Sequence, residues 1–149
     1  MKHDKCGTPD CCQECGPIQT KLNRYVQILS NIEDDQDKYV WIMEFGKNSL
    51  PMDEEHKAPS FEVKGCQTQT WLVPHFVDYK IYFTADSAAL ISKGMVSIIA
   101  DVYSGSSAQD INKFDQDEFK ILKLDTLLTP GRNNGVHGML KKVKEYAQL

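Results

Sequence analysis

Helices, then a hairpin, then helices again is the element order that the sequence predicts, and it assigns the chain to the α+β class, an antiparallel sheet of about three strands packed against several helices. Three observations carry the assignment. Apolar residues recur at helical spacing in both flanking regions, β-branched and aromatic residues dominate Thr70 to Thr84, and a Val77-Asp78 break splits that run into two strands.

Taken in order, Ile18, Leu22, Tyr25, Leu29 and Ile32 form one face of an amphipathic helix, with Pro17 where a first-turn proline is tolerated. The acidic run Glu33, Asp34, Asp35 and Asp37 reads as a solvated cap for a second helix, Lys38 to Phe45, which Gly46 should end. Residues 47–61, with Pro51 and Pro59, read as a polar connector carrying His56. Glu62 to Lys64 reads as a short strand, and Thr70 to Phe76 and Tyr79 to Thr84 as a hairpin in which Pro74 marks a bulge or an edge. Asp86-Ser87 is placed to cap a long helix through Ile91, Met95, Ile98, Ile99 and Val102, which Gly105 stops and in which Gly94 invites close packing. Ser106-x-x-Gln109 resembles a capping box opening a short helix through Ile111 and Phe114, and a further short segment holds Phe119 and Leu122. Thr129 caps and Pro130 begins a last helix with Val136, Met139, Leu140 and Val143 inward.

At 149 residues with a net charge of -4, the chain suits one domain and offers little attraction to a phosphate backbone, so nucleic acid is not an expected partner. No apolar run approaches the roughly 20 residues that span a bilayer, and Met1 to Gly16 is charged and cysteine-rich where a signal peptide carries an apolar core. The expected address is the cytoplasm, with no membrane partner. Residues 1–16 read as an appended segment and 17–149 as the single folded domain.

Cys6, Cys11, Cys12 and Cys15 crowd the appended segment, whereas Cys66 stands alone in the remainder. An odd total with one member isolated argues against a disulfide framework. Cys12-x-x-Cys15 resembles half of a zinc or iron–sulfur knuckle that Cys6, Cys11 or His3 would complete, and the plain alternative is a tail whose thiols do nothing specific. Cys66 follows Gly65, which allows positive φ or close backbone approach, so a reactive thiolate on a loop is one reading and a small buried hydrophobe the other. As a nucleophile it would need a proton partner, for which His56 and His75 are the candidates in a cysteine-hydrolase reading. As a reactive group it is best kept from reductant, in an apolar pocket beneath its loop, with Trp71, Phe83 and Met95 the candidate neighbours.

Four motifs together bring a family into view: Gly65-Cys66-Gln67-x-Gln69-x-Trp71, Asp86-Ser87, Lys93-Gly94-Met95, and Thr129-Pro130-x-Arg132-x-Asn134-Gly135. With them the chain resembles the SufE family, including its CsdE branch, from about residue 18 to the end. The resemblance implies a SufE/IscU-like fold and a sulfur acceptor that works with a cysteine desulfurase of SufS or CsdA type and delivers sulfur to iron–sulfur cluster assembly, directly or through a scaffold. It makes Cys66 the acceptor and Arg132, Gln67 and Asp86 partner-binding candidates. It implies no cofactor on this chain, the pyridoxal phosphate being the desulfurase's, and no independent turnover of a metabolite. Thr68, Thr70, Ala88 and Gly131 depart from the family's usual residues. The rival reading is an iron–sulfur or zinc scaffold or interaction module built on the amino-terminal cysteines.

Overall fold

The structure, a computed structural model, describes residues 16–149. Cys6, Cys11, Cys12, Cys15 and His3, the candidate metal ligands, lie outside the described residues. The elements are α1 (Gly16–Ser30), α2 (Asp35–Lys47), β1 (Thr70–Val77), β2 (Lys80–Ser87), α3 (Leu90–Tyr103), β3 (Ser106–Ser107), α4 (Ala108–Lys113), α5 (Leu124–Leu127) and α6 (Pro130–Tyr146). Short 3-10 turns at Glu54–His56, Pro59–Phe61 and Gln116–Leu122 complete them. This is an α+β chain with a three-stranded antiparallel sheet of order β1-β2-β3.

Helix α3 is the centre of the molecule, because ten of its fourteen residues are buried and it packs against α1, α2, α6 and the hairpin. A helix apolar nearly all round must be enclosed in this way. Ile18, Leu22, Tyr25 and Leu29 bury the predicted face of α1, and Lys21 donates to the carbonyls of Asp101 and Ser104, closing the carboxyl end of α3. Asp34 caps α2 by accepting from the Gln36 amide, as the acidic run foretells.

Gly46 does something other than end α2. The helix continues to Lys47 and Asn48 caps it, while Gly46 lies against Gly94 of α3. A Cβ on Gly46 would stand 2.5 Å from the Gly94 nitrogen, and one on Gly94 would stand 2.0 Å from the Ile42 oxygen. Two glycines thus let backbones touch where side chains would hold them apart, as Gly94 alone suggested.

The hairpin turns at Asp78, whose φ of 57° lies in the left-handed region that aspartate tolerates. Its register pairs Thr70 with Ser87 and Val77 with Lys80. Leu72 pairs with Ala85 and Phe76 with Ile81, on the face turned to the helices; Pro74 sits in β1, an edge strand, as its missing donor requires. The opposite face carries Trp71, Val73 and His75 and is covered by the connector, where Lys57 lies over the Trp71 ring and His56 meets Phe61 and His75 edge-on. The polar composition of 47–61 concealed that cover.

Three local expectations are corrected. Glu62 to Lys64 makes only an isolated bridge, Glu62 to Trp71, and the third strand is Ser106–Ser107, brought back beside β2 by Gly105 at φ 82°. The cap of α4 is Ser107, which accepts from Asp110, and Ser106 is 1% exposed. Ser87 belongs to β2, bonded to Thr70 and the Gln69 carbonyl, and α3 starts after Ala89 without a side-chain cap. Helix α6 begins as expected, with Thr129 accepting from the Arg132 amide, and Tyr146 near its far end donates to the Leu72 carbonyl. Among the described residues no helix is long and apolar enough to cross a membrane.

Because the obstacle at Gly94 is backbone, Gly94→Ala is expected to cost about 3 kcal/mol in packing, against a helix-propensity gain of up to about 1 kcal/mol. Urea unfolding should show a net loss near 2 kcal/mol; an unchanged midpoint would contradict the contact.

Candidate functional site

Cys66 is the single cysteine of the described residues, and it sits on a loop closed at its base. The Val63 amide donates to the Thr70 carbonyl at 2.7 Å, so residues 64–69 leave the edge of β1 and return to the same place. Gly65 has φ 89° while its missing Cβ would meet nothing closer than 3.5 Å, so backbone conformation rather than space demands glycine there.

The loop rests on α6 along a line of glycines. A Cβ on Gly138 would stand 2.1 Å from the Lys64 oxygen, one on Gly135 3.1 Å from the Cys66 sulfur, and one on Gly131 2.2 Å from the Gln67 side-chain nitrogen. Spaced four and three residues apart, these positions share one helix face. Gly131, a departure from the family's usual residue, gives the exposed Gln67 side chain room to lie across the first turn of α6. The Gly131-x3-Gly135-x2-Gly138 spacing was the available signal for this seat, since glycine inside a helix costs about 1 kcal/mol relative to alanine and needs a reason.

The thiol is half-buried against the core that contains Phe83 and Met95, and it points at the Gly135 carbonyl, 3.8 Å away. Trp71 is not part of that core; it lies on the connector side of the sheet. Burial pushes the Cys66 thiol above its ordinary value of 9.0. The Thr70 hydroxyl and the Arg132 charge pull it back, the Glu62 carboxylate adds to the rise, and the balance stays upward. The thiol at rest is therefore protonated and poorly nucleophilic near neutrality.

Arg132 reaches from the first turn of α6 to the loop and to α3, donating to Ser92 Oγ at 2.6 Å and to Thr68 Oγ1 at 3.3 Å. Asp86 is 6% exposed, with its carboxylate between Lys93 at 3.5 Å and Lys57 at 3.6 Å and accepting from the Ser87 amide. Of the three partner-binding candidates only Gln67 is exposed; Arg132 ties the loop to α3, and Asp86 is ion-paired between α3 and the connector. His56 and His75 are engaged with each other, with Phe61 and with Thr84, on the far side of the hairpin face that Phe83 uses. Ser92 was not singled out from sequence, since a serine inside an apolar helix announces nothing until its partner is known. Among the described residues no group of three His, Cys, Asp or Glu side chains is placed to hold a metal ion.

The loop thus holds one half-buried thiol against α6, and comparison with known proteins decides the family. The sequence model of the family described as "SufE: Fe-S metabolism associated domain" matches residues 23–147. The chain belongs to the SufE family. That membership places it in iron–sulfur metabolism. The chain is 34% identical over 137 residues to an uncharacterized SufE-like protein of Rhizobium etli, covering 89% of this chain and 93% of that one. An uncharacterized SufE-like protein of Rhizobium meliloti is 31% identical over 134 residues, 87% of this chain and 96% of that one. SufE-like protein 1 of Arabidopsis thaliana, chloroplastic/mitochondrial, is 30% identical over 131 residues, but this chain spans only 35% of its length. The solution structure of a hypothetical protein from Thermus thermophilus shares the fold, with a TM-score of 0.70 over 86% of this chain and 93% of that one at 15% identity.

In this SufE-family chain the rate of Cys66 alkylation should climb with a midpoint above pH 9.0, because burial disfavours the thiolate and delays its appearance. At pH 7 fewer than about 1% of the thiols are then ionised. Quantifying the Cys66 peptide across a pH series checks this, and a midpoint well below the ordinary thiol value would contradict it.

Proposed function

We propose that this chain is a sulfur acceptor and carrier, taking persulfide sulfur from a cysteine desulfurase onto Cys66, stimulating that enzyme, and passing the sulfur on to iron–sulfur cluster assembly. The observation that carries the reading is the half-buried thiol, single among the described residues, on a loop that turns at Gly65 and sits against α6. One thiol suits carrying one sulfur, whereas a cluster scaffold needs about three or four ligands at one site.

The chemistry balances without a redox partner. The Cys66 thiolate attacks the terminal sulfur of the donor's cysteine persulfide; the donor's S–S bond breaks as the new one forms, and the donor cysteine leaves as a thiolate. The transferred sulfur keeps its oxidation state. Attack requires ionisation, which the resting site disfavours, so loading needs the loop to move outward when the desulfurase docks. There Cys66 loses its burial and keeps the benefit of nearby positive charge. Gln67, exposed beside the thiol, is the partner-facing residue; Arg132 contributes by holding the loop through Thr68, and Asp86 by fixing Lys93 of α3 and Lys57 of the connector.

Incubation with a SufS-type or CsdA-type desulfurase and cysteine, followed by intact and peptide mass spectrometry, should show one added sulfur atom on Cys66, removed by reductant. Cys66→Ser should fall to background. Equal sulfur on the serine variant would overturn the assignment.

A further inference from the structure

The contacts of Arg132 do more than anchor one side chain. Its guanidinium joins three elements: α6, which carries it; α3, through Ser92 Oγ at 2.6 Å; and the Cys66 loop, through Thr68 Oγ1 at 3.3 Å. The Thr68 hydroxyl itself donates to Ser92 Oγ at 3.3 Å, so the serine oxygen receives both the cation and the loop. Ser92 is 2% exposed on the most enclosed helix of the molecule, which makes it a fixed post. Its burial without these two donors would leave an unsatisfied oxygen inside the protein.

At its strand end the loop's Thr68 and Gln69 carbonyls accept from Thr70, Ser87 and Ala88, and its contacts with α6 are of another kind. Lys64, Cys66 and Gln67 meet the glycines of α6 by van der Waals approach, and the thiol's bond to the Gly135 carbonyl is a long sulfur contact. Past the turn at Gly65 and short of the strand at Thr70, the charged grip on the loop falls on Thr68, two residues after the thiol. A guanidinium stays protonated at every pH the protein survives, so this grip is opened by competition or movement and not by titration.

We propose that Arg132, Ser92 and Thr68 form a clasp that sets how far Cys66 is held against α6, and so controls access to the thiol. These three are positioning residues, acting through the loop on the reacting sulfur. The proposal rests on Cys66 being the reactive thiol, and its test needs no desulfurase. Arg132 has a second, separable effect, since its charge also favours the thiolate.

The test is alkylation of the full chain by iodoacetamide, with the rate at Cys66 read from its own peptide across pH. The rate extrapolated to full ionisation reports access alone, and the midpoint reports charge. Thr68→Val, which keeps the side chain's shape and removes the hydroxyl, and Ser92→Ala should each raise the fully ionised rate at least about threefold, as expected for loss of a hydrogen bond to a charged group. Thr68→Ser, which keeps the hydroxyl, should stay within about twofold of the parent. Arg132→Gln should raise the same rate and, alone among the variants, remove the cation that draws the midpoint down. Ile111→Val, a buried change in α4, controls for general loosening and should leave the rate unchanged at a comparable drop in urea midpoint. Parent-like rates in both Thr68→Val and Ser92→Ala would overturn the clasp, as would equal acceleration in Ile111→Val. Those outcomes are distinct from failure of sulfur loading, which bears on the acceptor reading and leaves the clasp standing.

Discussion

The Cys66 loop meets α6 at backbone distance, and that approach constrains the site. Gly138 admits the Lys64 carbonyl, Gly135 admits the thiol, and Gly131 admits Gln67. Each glycine weakens the helix by about 1 kcal/mol relative to alanine, so the seat is costly to the element that provides it. Packing elsewhere along the helix offsets the cost, since Met139 and Val143 are wholly buried and Tyr146 ties the end of α6 to the Leu72 carbonyl. The site is thus packed underneath, and the loop above it turns at Gly65 with φ 89°.

From that seat follows the chemistry of the thiol. Half-burial raises the Cys66 pKa, and the nearby Thr70 hydroxyl and Arg132 charge only partly counter it. Shielding and activation therefore pull in opposite directions at rest. Moving the loop outward relieves the first without discarding the second, because positive charge acts over distances that packing contacts do not. In this account the resting state protects a thiol, and later a persulfide, from adventitious reaction, and a docked partner supplies the stimulus to open.

Much of this was readable in the sequence because it is local. Helical periodicity located α1, α3 and α6, Asp34 and Thr129 cap where residue type predicts, and alternation with Val77-Asp78 announced the hairpin. What escaped depends on residues far apart in the chain. Ser106–Ser107 has no strand signature of its own and becomes β3 only by lying beside Lys80 and Ile81. Gly46 looks like a helix stop until Gly94 is packed against it, and Ser92 looks incidental until Arg132, forty residues later, reaches its hydroxyl. The glycine-spaced face of α6 was visible as a pattern, but its meaning required the loop that lies on it. The motif resemblance supplied the family and the candidate acceptor cysteine, and could not supply how the loop is held.

The claim on which the account turns is that Cys66 alone receives the sulfur. The direct measurement is transfer of radiolabelled sulfur from a desulfurase charged with labelled cysteine to a chain in which Cys6, Cys11, Cys12 and Cys15 are all serine. The account predicts undiminished label, close to one sulfur per chain and released by reductant. Loss of the label with those four substitutions would contradict it and move the acceptor to the amino-terminal segment.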